Sequence, residues 1–331
     1  MDAVDNVGVR GATLSHAGIR RALGFRALNA GMKIVWDGLG AEDGRAAALP
    51  LQQSPAYAAA LARLGRATRC AAIFRAGDPV GLARIATRRV GPLRLSLLLR
   101  GPVWTAPVAP EEEREVLGHL ARAVPLLVAV PERDGIGGWG TVPLVTPRHV
   151  ALLDLGPGAE RLRAGLHGKW RNRLVRAEEA GVRVRLGHAD PAPVAALLTR
   201  DAAQQKARGY RALPARFTHA WLAEDPAGAL YAEARHRGEA IAAMLFLLHR
   251  PWATYHVGWS GPEGRRLNAH NLLLWQVALR LKAEGYTTLD LGDVNTEDAP
   301  GLARFKTGSG ARVVALGATS LVLPRLTRLR S

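Results

Sequence analysis

The hydrophobic pattern changes period along the chain, and each change marks an element. Met32 to Asp37 (MKIVWD) reads as a short strand, after an opening stretch rich in Gly and Arg with little periodicity. A turn-rich stretch leads into a helix over 55–64. Apolar runs of strand length follow at CAAIF (70–74), GLARIAT (81–87) and LRLSLLL (93–99), the last running into Arg100-Gly101-Pro102-Val103-Trp104. A helix opens near Pro110, where Glu111, Glu112 and Glu113 favour the positive end of its dipole. LLVAV (126–130) reads as a buried strand and GIGGWGT (135–141) as a Gly-rich loop.

The second half begins with the strand ALLDLG (151–156). A single long helix is expected over about 159–180, stopped by Gly181, with the apolar stripe Leu162, Leu166, Trp170, Leu174 and Ala177. VRVRLG (182–187) is a strand, and helices are expected over 191–207 and 214–223. Three strands follow at 229–236, 239–249 and 252–260, the first two joined by the turn Arg237-Gly238-Glu239. GPEGRR (261–266) reads as a loop, 268–284 as a mostly apolar helix, and TTLDLG (287–292) as a strand. A short helix over 300–306, the turn Gly308-Ser309-Gly310 and a last strand near 313–323 complete the chain. Antiparallel strands followed by strand, helix and strand define an α+β class with mixed, mostly antiparallel sheets flanked by helices. The first half weakly echoes the second. Two domains are expected, at 32–148 and 149–331, with 1–31 as a disordered arm or a start assigned too early.

The formal net charge of +17 suits a polyanionic partner: nucleic acid, phosphorylated ligands or an anionic membrane surface. The 331 residues include five lysines and forty arginines, a bias that a GC-rich genome also produces. The lone cysteine, Cys70, allows no internal disulfide, fits a reducing cytoplasmic setting, and lies in an apolar run that suits a core. No run approaches the ~20 apolar residues of a membrane span. The opening residues hold no apolar signal core. Metal-ligand spacings, a phosphate-binding loop lysine motif and a nucleophile elbow are all absent from the sequence.

Four stretches in order resemble the Fem-like branch of the GNAT acyltransferase superfamily: Leu166 to Val184 (LHGKWRNRLVRAEEAGVRV), Gly238 to Ser260, Asn268 to Gly292, and Gly301 to Ala311 (GLARFKTGSGA), the last close to a Phe-Lys-x-x-x-Gly signature. SPAYAAAL (54–61) and RGPVW (100–104) resemble it too, so the likeness covers most of the chain from Met32. The resemblance implies two tandem GNAT-like domains and transfer of an acyl group to an amine. No cofactor would be bound tightly; acyl-CoA or aminoacyl-tRNA would be the co-substrate. Some members extend the peptide of a peptidoglycan precursor.

In such folds a strand splays from its neighbour and the next helix receives the donor. That position here is WSGPEGRRLNAHN, which makes Gly261, Gly264, Arg265, Arg266 and Asn268 the candidate donor site. Counted from Arg266, the usual Arg/Gln-x-x-Gly-x-Gly/Ala signature has Ala269 and Asn271 where small residues belong. Lys306, a lysine in an arginine-rich chain, is the leading catalytic candidate, as a compact point charge for a phosphate or an oxyanion. Asp290 points away from Leu289 and Leu291 and could orient Lys306 or take the amine's proton, or pair with an arginine; Asp293 is nearby. Tyr255 and His256 lie on opposite faces of one strand, so one should face the cleft. Lys169, Arg171 and Arg173 on the basic helix, with Asn295 and Arg304, are substrate candidates, and Lys206 and Tyr210 are weaker ones. The competing reading is a basic RNA- or membrane-surface-binding protein on a degenerate scaffold without turnover.

Overall fold

The computed structural model describes residues 26–27, 31–37, 48–138, 140–208 and 212–324. Tyr210 and most of the expected arm 1–31 lie outside the described residues. Within that arm, Arg26–Ala27 (β1) pairs with β2 (Met32–Trp36).

The first half supplies β3 (Thr68–Arg75), β4 (Asp78–Val90), β5 (Leu93–Leu99), β6 (Val103–Trp104), β7 (Leu127–Val130) and β8 (Thr141–Val145), with helices α1 (Pro55–Arg63) and α2 (Pro110–Ala123). The second half supplies β9 (His149–Asp154), β10 (Arg183–His188), β11 (Ala229–His236), β12 (Glu239–His249), β13 (Trp252–Ser260), β14 (Thr288–Asp293), β15 (Arg312–Ala315) and β16 (Thr319–Val322). Its helices are α3 (Ala159–Ala164), α4 (Gly168–Glu179), α5 (Pro191–Arg208), α6 (Ala215–Glu224), α7 (Pro262–Arg266), α8 (Ala269–Ala283) and α9 (Pro300–Gly308).

Two mixed, mostly antiparallel sheets result. The first runs β1-β2-β3-β4-β5-β7-β16-β8, with β6 on β4, and the second β10-β11-β12-β13-β14-β9-β15. Each holds one parallel pair, β5 with β7 and β13 with β14, and each of these pairs is bridged in sequence by a helix, α2 or α8. The echo between the halves therefore extends to topology. The last strand, expected whole near 313–323, is two pieces: β15 stays in the second sheet, whereas β16 enters the first between β7 and β8.

The continuous apolar run of β12 follows from burial on both faces. Ala242, Met244 and Phe246 join one core under α8, while Ala243, Leu245 and Leu247 join another. That second core is shared between the halves, since Leu51, Tyr57, Ala60 and Leu61 pack with Phe217 and Trp221 of α6. Tyr57 and Phe217 stack with centroids 5.2 Å apart. Cys70 is buried in β3, as its apolar neighbours imply.

Two local expectations change. The helix expected over 159–180 is interrupted at Gly165–His167, because the His167 amide donates to the Gly308 carbonyl (3.0 Å) and Gly310 packs on the Gly165 carbonyl. A tertiary contact overrides an uninterrupted helical stripe. The expected loop 261–266 is mostly the short helix α7, with Pro262 in its first turn.

Candidate active site

The parallel strands β13 and β14 pair only from Trp252–Thr288 to Thr254–Asp290, although β13 continues to Ser260 and β14 to Asp293. Beyond Thr254 they part. A bulge that leaves His256 without a partner on β12 turns the second half of β13. Tyr255, His256, Gly258, Trp259 and Ser260 keep partial exposure here, whereas the adjacent β12 is buried from Ile241 to Leu247. The corresponding pair in the first sheet does not open. Its pairing runs from Ser96–Leu127 to Leu99–Val130, the last residue of each strand. One wedge thus exists in the second sheet and none at the equivalent place in the first.

Tyr255 lies on the α8 side, its ring 5.6 Å from that of Phe246, and its hydroxyl sits where any side chain at Gly258 would collide. On the same stretch Ser260 Oγ, and on the first turn of α8 Asn271 Nδ2, are buried with no hydrogen-bond partner among the described residues. Buried polar atoms are rarely left so, and a ligand is one way to satisfy them. His270 shares a 2.9 Å hydrogen bond with the Trp259 carbonyl and lies 6.0 Å, ring to ring, from Phe305. The mouth of α8 and the Phe305-Lys306 segment are therefore neighbours.

Lys306 is 6 % exposed, and its Nζ donates to the Asp293 carbonyl at the end of β14 (2.7 Å). Burial pulls its pKa below the ordinary lysine range, against the opposing pull of Asp293 and Asp290. Gly292, beside it, takes a left-handed backbone turn at φ +75° that favours glycine. The segment is clamped from outside, where Trp170 Nε1 donates to the Phe305 carbonyl (3.0 Å) and Trp170 covers Gly308. Lys169, Arg173 and Arg304 are exposed on this same helix pair, α4 and α9, and none is ion-paired among the described residues.

Other expected residues are placed differently. Asp290 does point away from the leucines, but toward the first domain. It is 2 % exposed, accepts from the Gly292 amide (2.7 Å) and forms an ion pair with Arg100, which also pairs with Glu132 (2.8 Å). With both carboxylate oxygens engaged, it joins the two halves rather than facing an amine. His256 turns to the other side of β13, where it shares a 2.7 Å hydrogen bond with Thr218 and meets the edge of Phe217. Burial of its ring lowers its pKa to about 4, so it is neutral and bonded to Thr218 rather than poised as a base.

The expected donor loop is folded onto itself. The amides of Arg265, Leu267 and Asn268 donate to the carbonyls of Gly261, Glu263 and Arg265. Arg265 donates to the Ser260 carbonyl (2.5 Å) and Arg266 pairs with Glu263 (2.6 Å). Gly264 is buried against the Ile241 carbonyl rather than lining an approach, Gly261 caps α7, and Asn268 takes the left-handed turn at φ 53° before α8. Asn295 Oδ1 accepts from the amides of Glu297 and Asp298 (both 2.9 Å) and shapes an exposed turn. Arg171 donates to the Ala164 and Leu166 carbonyls at the helix break, and Lys206 is exposed on α5. Sequence reasoning missed Arg100, Glu132, Ser260 and Asn271. Arg100 lies inside RGPVW, and Ser260 and Asn271 inside WSGPEGRRLNAHN, where neither drew a role; Glu132 lies in no motif.

Two related half-molecules, each built around a parallel pair and its crossover helix, with one pair parted, define a tandem GNAT-like fold whose second copy carries the open wedge. Residues 166–307 match the family model described as Acetyltransferase (GNAT) domain. Among solved structures, FemX is similar over 87 % of this chain and 97 % of its own, with a TM-score of 0.66 at 13 % identity. The C-terminal domain of a putative lysylphosphatidylglycerol synthetase from Agrobacterium fabrum is similar over 86 % of this chain and 92 % of its own (TM-score 0.50, 16 % identity). A conserved protein of unknown function from Bacteroides thetaiotaomicron covers 91 % and 99 % (TM-score 0.54, 13 % identity). These likenesses are of fold. No curated protein matches the chain.

Proposed function

We propose that the chain is an N-acyltransferase that moves an aminoacyl or acyl group from an activated carrier to an amine, with the wedge between β13 and β14 as its site. The observation that supports this most is the parting of those strands beside the buried Lys306 ammonium, inside the segment that matches the GNAT family. The amine nitrogen attacks the carrier's carbonyl carbon. The carbon–oxygen or carbon–sulfur bond to the carrier then breaks, and the proton lost by the amine ends on the carrier's leaving atom. Lys306 stabilises the oxyanion that forms in between, a role worth about 10²–10³ in rate. Tyr255, over Gly258 in the same wedge, positions the carrier.

Aminoacyl-tRNA fits better than acyl-CoA as the donor. The turn that would cradle a pyrophosphate holds the amides of Arg265, Leu267 and Asn268 in internal bonds, and Arg265 and Arg266 are already engaged. The cations Lys169, Arg173 and Arg304 suit the phosphates of an acceptor such as a peptidoglycan or other cell-envelope precursor.

The test is transfer from charged tRNA and from labelled acetyl-CoA to a panel of amines, with Lys306→Ala alongside. Saturable transfer from charged tRNA, cut about a hundredfold in the variant at unchanged thermal stability, is the expected result. Because the charged lysine is required, activity falls as pH rises through its lowered pKa, earlier than an ordinary lysine would dictate. Full turnover by Lys306→Ala removes it from the mechanism, and salt-sensitive RNA binding without transfer from either donor removes the enzyme reading.

A further inference from the structure

Ordinary sheet strands have neighbours along their length, but the β4–β5 hairpin outruns its sheet. β3 pairs with β4 only as far as Ala86, and β7 pairs with β5 only from Ser96 onward. Among the described residues, those between, Arg88 to Val90 and Leu93 to Leu95, pair only with each other. They form a two-stranded arm that projects about 10 Å past the sheet, at ~3.3 Å per residue.

The arm has two unlike faces. Cross-strand partners share a face, and the register sets Val90 against Leu93 and Arg88 against Leu95 on one side, Arg89 against Arg94 on the other. Val90 is 50 % and Leu93 57 % exposed, the most exposed pair of facing apolar residues in either sheet. Two arginines directly opposite each other repel. Neither they nor Arg88 meet a carboxylate among the described residues. Two further exposed leucines stand at the same end of the sheet: Leu126 (45 %), just before β7, and Leu323 (47 %), just after Val322 of β16, whose partner is Leu127. The arm contributes nothing to either core, so its composition calls for a partner.

We infer that this end of the first sheet docks on an anionic phospholipid bilayer, with Val90 and Leu93 entering the headgroup boundary and Arg88, Arg89 and Arg94 reaching lipid phosphates. The pairing of apolar tip and unpaired arginines selects this partner. A nucleic acid would engage the arginines but leave the valine and leucine in water, and a neutral apolar protein surface would leave the arginines uncompensated. Amphipathic elements with arginine on the polar side bind membrane interfaces in this way. The inference is independent of the transfer chemistry, since the arm and the wedge lie on different sheets.

The experiment is co-sedimentation of the full chain with vesicles of phosphatidylcholine, alone or mixed equally with phosphatidylglycerol. Binding is expected only to the mixed vesicles. Each arginine removed (Arg88→Ala, Arg89→Ala, Arg94→Ala) should weaken it about fivefold. Val90→Ser with Leu93→Ser should weaken it about tenfold or more, with thermal unfolding unchanged because the tip touches no core. A dye on Leu93→Cys should report an apolar environment on the mixed vesicles only, Cys70 being buried. Equal binding to both vesicles, binding indifferent to the apolar pair, or retention of structured RNA through Arg89 and Arg94 with no vesicle binding would each overturn the inference.

Discussion

At the scale of single residues, the charges at the seam between the halves make the fold sensitive to acid. His249 shares a 2.8 Å hydrogen bond with Thr254, beside the Asp290–Arg100 pair, and is 6 % exposed. Burial lowers its pKa to about 4, with Asp290 pulling the other way and Arg100 adding to the fall. The unfolded chain, with a histidine pKa near ~6.5, takes up the proton first. Stability is therefore full above that value and declines as pH falls toward the folded pKa, by roughly 3 kcal/mol for this residue. His256 contributes in the same direction. Urea unfolding between neutrality and mild acid should show a slope that His249→Gln reduces by about one proton. An unaltered slope would mean that His249 already titrates normally in the folded state. Neither histidine announced this in the sequence. Alternation along a strand gives the face on which Asp290 or His256 lies, but what covers that face comes from residues far away in the chain, Arg100 and Thr218. Lys306 stood out because a lysine among arginines beside Gly308-Ser309-Gly310 is unusual by itself. Ser260 and Asn271 were not, since an unpartnered buried atom has no sequence signal.

At the scale of elements, propensity and pattern placed most strands and helices, and failed where a glycine serves a tertiary contact. The stripe Leu162, Leu166, Trp170 runs unbroken through Gly165, yet the chain bends there to meet the 308–310 turn. Gly264 makes the complementary point. In the sequence it is a donor-site candidate; in the structure it packs closely on β12, whose Ile241 carbonyl also accepts from the Gly261 amide (2.9 Å). Any Cβ at 264 collides with that carbonyl, which is backbone and cannot swing aside. Gly264→Ala should displace α7 from the sheet edge and lower the melting temperature by roughly 5 °C, an overpacking cost. Because α7 precedes the mouth of α8, KM for the donor should rise more than kcat falls. A variant with wild-type melting and wild-type KM would show that α7 is loosely held.

At the scale of the whole molecule, the chain is laced rather than divided. The repeated strand–helix–strand order suggests a boundary near 148; strands up to Val145 lie in the first sheet and those from His149 to Ala315 in the second. It could not reveal that the chain crosses back, because β16 is a short apolar strand that either sheet's pattern would accept. Once there, β16 covers the edge of β7, pairing Val322 with Leu127 and Ser320 with Ala129, and Val322 enters the first core. The Gly317 amide donates to the Pro131 carbonyl (2.9 Å) where the chain crosses. Added to the shared core of α1 with α6 and the Arg100–Asp290 pair, this leaves neither half with a complete surface of its own. Cooperative unfolding follows, since an opening in one half strips contacts from the other. Calorimetry of the full chain should show one transition. A chain ending at Leu316 should lose that cooperativity, because β7 becomes an open edge and the first core loses a strand. Two resolved transitions in the full chain, or an unchanged one in the shortened chain, would mean that the halves are stable units joined only by sequence.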